Sequence, residues 1–152
     1  MLQAADFARA ARMGVTIVQN PSHFMIAPVM LARLGAERAQ HVAEVKAIVS
    51  AGVPFALGSD GPMNPFLNIM FAATNAVNPS QALTVQQALK AYTAGSAAAE
   101  FADGDKGMLK PGMLADLALL SQDIFKVARQ DLPKTTSVLT IVNGRIVHSR
   151  LD

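Results

Sequence analysis

At 152 residues the chain has the length of roughly one domain, and 51% hydrophobic against 16% charged residues excludes a disordered chain. The absence of cysteine rules out a disulfide framework, a cysteine zinc site and a cysteine nucleophile. Thirteen Lys and Arg against eleven Asp and Glu leave a net charge of +2, with 5% aromatic residues and no basic stripe, so no nucleic-acid partner is expected.

Leu2 to Met13 is rich in Ala and Arg and reads as a helix, with Gly14 as its terminator. Its Asp6, Arg9 and Arg12 interrupt the apolar stretch a signal peptide needs. No later segment approaches the apolar run of a membrane span, so a cytoplasmic location without a membrane partner is expected. Val15 to Val18 reads as a short buried strand. Gln19-Asn20-Pro21-Ser22 breaks it and opens a loop expected to run to about Gly35. From Glu37 to Ala51, Val42, Val45, Ile48 and Val49 recur at helical spacing, and Gly52 ends that helix. Val53 to Leu57 reads as a second apolar strand, closed by Gly58-Ser59-Asp60-Gly61-Pro62. Apolar strands that each follow a helix or lead into one predict an α/β fold with a parallel sheet covered on both faces.

After Pro65 comes a short apolar segment, Phe66 to Ala73. A stronger helix starts at Thr84, whose hydroxyl and Gln87 form a capping-box pattern, with Val85, Ala88, Leu89 and Tyr92 as its buried stripe. Gly, Pro and Asp then punctuate Asp103 to Gly112. Leu117 to Leu120 is strand-like, and Val138 to Val142 and Arg145 to His148 flank the hairpin signal Asn143-Gly144. A domain boundary is expected near residue 102, with an α/β unit over 1–102 and a β unit over 103–152.

His23, His41 and His148 are far apart, and no local metal motif, P-loop or dinucleotide glycine fingerprint is present. Asp60 lies just past the C-terminal end of an apolar strand, where α/β folds place their active sites. An Asp in a Gly-Ser-Asp-Gly-Pro run is also an ordinary turn former, and both readings stand on pattern alone. His23 lies just beyond the preceding strand on the same side, although a lone loop histidine is commonly solvated or packed. Arg33 and Arg38 are either clamps for an anionic substrate or surface charge. His41 and His148 carry no functional reading.

The run Gly52-Val53-Pro54-Phe55-Ala56-Leu57-Gly58-Ser59-Asp60-Gly61-Pro62 resembles the eighth barrel strand and following loop of the amidohydrolase superfamily. Val18-Gln19-Asn20-Pro21 and Arg33-Leu34-Gly35-Ala36-Glu37-Arg38 are similar to the strand-seven region of its YtcJ-like branch. The likeness continues through Ala91-Tyr92-Thr93, Ala97-Ala98 and Gly107 to Leu117, and ends in Thr140 to Val147. The resemblance implies a partial TIM barrel, its last two βα units, followed by a small C-terminal β segment of the composite urease/amidohydrolase type. It implies that Asp60 matches the aspartate that binds a divalent metal such as zinc and serves as general base. Such a carboxylate takes a proton from the attacking water and returns it to the leaving amine. His23, Arg33 and Arg38 would then face the substrate, a small molecule with an amide-type bond.

A complete barrel needs eight strand–helix units and about 250 residues. The family's remaining ligands, a His-x-His pair on the first strand, a Lys or Glu in the middle and histidines on the fifth and sixth, belong to strands not found here. A catalytic zinc takes about three protein ligands, so this chain alone is expected to hold no metal tightly and to be inactive. The leading expectation is therefore a C-terminal part of a metal-dependent hydrolase of non-peptide carbon–nitrogen bonds. The alternative is a free-standing non-catalytic domain that self-associates or docks on a partner. Either way, a copy of itself or a missing N-terminal portion is expected to cover its open edges.

Overall fold

The computed structural model describes residues 4–39 and 41–151. Helix α1 spans Ala4–Arg12; Leu2 and Gln3 of the expected helix lie outside the described residues. Gly14, at φ 66°, ends α1 by letting its own N–H reach Ala11 O and the Val15 N–H reach Ala10 O. Val15 is thus spent on closing the helix, and strand β1 starts later than expected, at Ile17–Gln19. The same device, Gly52 at φ 72° with the Val53 N–H on Ile48 O, shortens the second strand, β2, to Phe55–Leu57.

β1 and β2 pair in parallel, Ile17 with Phe55, Val18 with Ala56 and Gln19 with Leu57. The expected cover on both faces is not complete: Val18 is 54% exposed. The expected loop to Gly35 is also corrected. It holds a 3-10 turn, Pro21–Met25, and helix α2, Ala27–Ala39. Pro28 fits a first helical turn and Met30 to Leu34 are good helix formers, until Gly35 at φ 74° kinks the helix. The helix expected over Glu37 to Ala51 is correspondingly split, and only Val45–Ser50 forms α3. Ala43 is held at φ 58°, and the buried Asn75 donates its side-chain N–H to Ala43 O at 2.9 Å. This tertiary bond outweighs the local helical pattern.

Helix α4, Pro65–Thr74, is capped by Asn64, whose oxygen accepts from the Phe66 and Leu67 N–H groups at 3.0 Å each. Helix α5, Val85–Lys90, has the expected capping box, with Gln87 N on Thr84 Oγ1 at 3.1 Å and Thr84 N on Gln87 Oε1 at 2.9 Å. It continues through a π turn, Ala91–Gly95, into α6, Ser96–Ala99. Gly95 lies against β2 so closely that a Cβ there would run into the Phe55 carbonyl oxygen.

The chain ends in a second sheet of β3 (Leu117–Leu120), β4 (Ser137–Val142) and β5 (Arg145–Ser149), antiparallel and in that order. Asn143 and Gly144 turn the hairpin at φ 49° and 74°. The main core joins Phe24, Val45, Leu57, Ile69 and Leu83 to Ile124 and Leu132, so residues before and after position 102 share it. A smaller cluster of Phe7, Ile17, Ile48 and Val53 fixes α1 and α3 beside the parallel strands. The fold is mixed α/β. Among the described residues no helix is long and apolar enough to cross a membrane.

Candidate functional site

Both parallel strands end on the same side, and the chain leaves each one into a short polar turn. After β1, Pro21 and Phe24 are buried and anchor the 3-10 turn, which leaves His23 between them pointing outward and exposed. After β2, Gly58 N extends the pairing by one bond to Gln19 O at 2.9 Å, and the chain then turns sharply at Asp60, φ 43°. The two turns meet. His23 Nε2 lies 3.3 Å from Asp60 Oδ2, with the side chains 47% and 69% exposed. Next to it, Ser22 Oγ donates to Ser59 O at 2.7 Å.

The structure therefore brings together two of the four residues singled out in the sequence. Arg33 and Arg38 are placed on exposed positions of α2, and neither makes an ion pair with Asp60 or with any other described residue. His41 bonds Glu44 through Nδ1 at 2.9 Å, and His148 stands on the exposed strand β5. Residues that the sequence does not single out also converge on the Asp60 loop. Asn68, fully buried on α4, donates from Nδ2 to Pro62 O at 3.0 Å and to Asn64 O at 3.1 Å. Asn64 in turn donates to Pro133 O at 3.0 Å. A polar residue within the apolar run Phe66 to Ala73 is the one available signal for Asn68.

As a donor set for a metal ion, the site offers one carboxylate and one imidazole. Among the described residues no three His, Cys, Asp or Glu side chains lie close enough to share an ion. Two donors fall short of the roughly three protein ligands of a catalytic zinc, so these residues do not by themselves fit the metal that the sequence resemblance implies. The pair can still exchange protons, because an imidazole and a carboxylate in contact are both open to water. An apolar cavity of about 780 Å³ lies elsewhere, between α4, the π turn and β3, with Phe66, Ile69, Tyr92 and Leu117 among its walls.

Fold and pair define a mixed α/β chain whose chemistry-bearing side chains stand beyond the C-terminal ends of parallel strands, the usual place for an α/β site. The chain belongs to the amidohydrolase family, whose sequence pattern matches residues 1–148. It is 32% identical to YtcJ of Bacillus subtilis (strain 168), a protein named as an amidohydrolase, over 93% of this chain and 29% of YtcJ. It is 26% identical to the N-substituted formamide deformylase of Arthrobacter pascens over 93% of this chain and 28% of that enzyme. The fold superposes on an uncharacterized metal-dependent hydrolase from Pyrococcus furiosus with a TM-score of 0.76 at 26% identity, covering 83% of this chain and 27% of the other. The chain thus spans less than a third of the length of these relatives.

Proposed function

We propose that these residues are the C-terminal share of a metal-dependent hydrolase that cleaves amide-type, non-peptide carbon–nitrogen bonds in small molecules. Residues 1–102 supply the last two βα units of a TIM barrel, and residues 103–152 supply part of a small β domain. The observation that carries this reading is the 3.3 Å contact of His23 with Asp60 across the ends of β1 and β2. In the barrel we propose, this contact would lie at the mouth, where such folds do their chemistry, and it supports reading Asp60 as a proton acceptor. The formamide-cleaving relative supports the bond type.

In this reading Asp60 takes a proton from the water that attacks the amide carbon and hands it to the departing nitrogen, leaving an acid and an amine. His23 orients the Asp60 carboxylate, and Arg33 and Arg38 approach the substrate from α2. Asp60 also contributes to holding a divalent metal such as zinc, with the other donors coming from outside these residues. The chain by itself is then inactive. An assay of the zinc-supplemented chain with an N-substituted formamide should give no turnover. Turnover that disappears in Asp60→Asn would overturn that expectation.

A second reading, a free-standing domain that covers its open edges by association, is favoured by exposed apolar side chains such as Met63 (89% exposed) and Phe101 (96% exposed). DNA sequence upstream of the Met1 codon separates the two. An in-frame extension encoding a His-x-His pair supports the hydrolase share; a stop codon and a ribosome site directly upstream support the free-standing domain.

A further inference from the structure

Asp60 holds a backbone conformation that favours glycine, φ 43°, in a short loop whose carboxylate must still meet His23. Something has to keep it there, and the loop is gripped on both sides of Asp60. On one side Ser22 Oγ donates to the carbonyl of Ser59 at 2.7 Å and lies 3.5 Å from the carbonyl of Asp60. On the other, Asn68 Nδ2 donates to the carbonyl of Pro62 at 3.0 Å. Ser22 adjoins His23 in sequence, so one turn fixes both the loop backbone and the imidazole that meets the carboxylate.

Asn68 is the more telling of the two. It is fully buried in a helix whose other residues up to Ala73 are apolar, and its Oδ1 is buried with no hydrogen-bond partner among the described residues. An unsatisfied buried oxygen costs stability, and an apolar side chain of similar size would avoid that cost. What the amide provides is its pair of donated bonds, to Pro62 O and Asn64 O, at the exit of the Asp60 loop. Reversing the amide would set its oxygen against two carbonyl oxygens, so the assignment of Nδ2 is fixed by its partners.

We propose that Ser22 and Asn68 are positioning residues, which hold the loop carrying Asp60 in its left-handed turn so that the carboxylate faces His23. The proposal rests on the reading of Asp60 as the working carboxylate, but the clamp is a statement about geometry and is tested as one. In isotope-labelled chain, nuclear Overhauser contacts from the His23 ring to the Asp60 β-protons report the pairing, and the Asp60 amide–Hα coupling reports its φ. The unmodified chain should show the contact and the coupling of a positive φ. Ser22→Ala and Asn68→Leu should each lose the ring contact and shift the coupling to an averaged value, while Ser22→Thr, which keeps the hydroxyl, restores both. Asn68→Leu should melt no lower than the unmodified chain, which separates loop positioning from general support of the fold. Should Asn68→Leu fail to fold, the Ser22 pair decides alone. Persistence of the ring contact and of the coupling in Ser22→Ala, or in folded Asn68→Leu, overturns the proposal, as does their absence from the unmodified chain. These spectra need neither metal nor substrate. The hydrolase reading can therefore fail in its own assay while the clamp stands, and the reverse.

Discussion

Tyr92 is the chain's one tyrosine and borders the apolar cavity of about 780 Å³ between α4 and β3. Burial there disfavours the phenolate and raises its pKa above the ordinary value. The folded state thus holds the phenol proton more tightly than the unfolded chain does. The stability this adds is complete below the ordinary phenol range, about pH 10, and is lost as pH rises through the folded value. Because no other tyrosine contributes, the rise of tyrosinate absorbance titrates Tyr92 alone. Its midpoint should lie above 10 in native buffer and fall back to the ordinary value in concentrated urea; equal midpoints would mean that the cavity is solvated. At this same scale, Asp60 and His23 are legible in the sequence because each follows an apolar strand on the same side. Arg33 and Arg38 are legible as residues but not as neighbours on one helix, since Gly35 between them interrupts the helix formers Met30 to Leu34 and gives the stretch a loop-like pattern. Ser22 and Asn68 act through the carbonyls of Ser59 and Pro62, and a contact to backbone leaves no trace of its partner in the sequence, even where, as at Asn68, a polar residue stands out in an apolar run.

The helices show where local rules hold and where they give way. Gly14 and Gly52 mark two helix ends in the sequence, because glycine is the residue that takes the left-handed position at a helix end without strain. The end of α6 uses the same hydrogen bonds, Phe101 N on Ala98 O at 3.1 Å and Ala102 N on Ala97 O at 2.9 Å, but puts a phenylalanine at φ 61°. No sequence rule marks that terminus, since a bulky residue in this conformation is strained. The Phe101 side chain is 96% exposed and returns nothing by burial. Phe101→Gly should therefore stabilise the chain by about 0.5–1 kcal/mol, the left-handed penalty less the greater freedom of glycine in the unfolded state. Urea unfolding would measure it, and an unchanged or lower midpoint would show that Phe101 is not strained or that it is covered in solution. The strands at 117–120, 137–142 and 145–149 fall within a residue of where the sequence puts them, since short apolar runs and an Asn-Gly turn are local signals. The break before α3 does not, because it depends on Asn75 reaching Ala43 from 32 residues away.

For the whole molecule the decisive quantity is surface. A compact monomer of this length exposes about 7,400 Å² by size scaling, whereas this chain exposes 9139 Å². The excess, roughly 1,700 Å², is as large as the total area buried in a standard protein–protein interface. Part of it is apolar side chain: Val18 on the open face of the parallel pair at 54%, and Ile146 and Val147 on β5 at 65% and 61%. The backbone points the same way. β1 and β2 pair only with each other among the described residues, and β3 and β5 each have a free edge, so every sheet offers unpaired N–H and C=O groups. The apolar richness of the sequence is thus not all core; it includes faces that need a neighbour. In the proposed hydrolase that neighbour is the rest of the barrel, and without it a second copy is the available substitute. Purified chain should therefore elute from gel filtration as a dimer or larger species, bind the dye ANS, and shift toward monomer on dilution. Val18→Ser combined with Ile146→Thr, both at exposed positions, should weaken the association while leaving the circular dichroism unchanged. A compact monomer that ignores ANS would mean that the exposed faces need no partner, and the case for a part of a larger barrel would lose its physical basis.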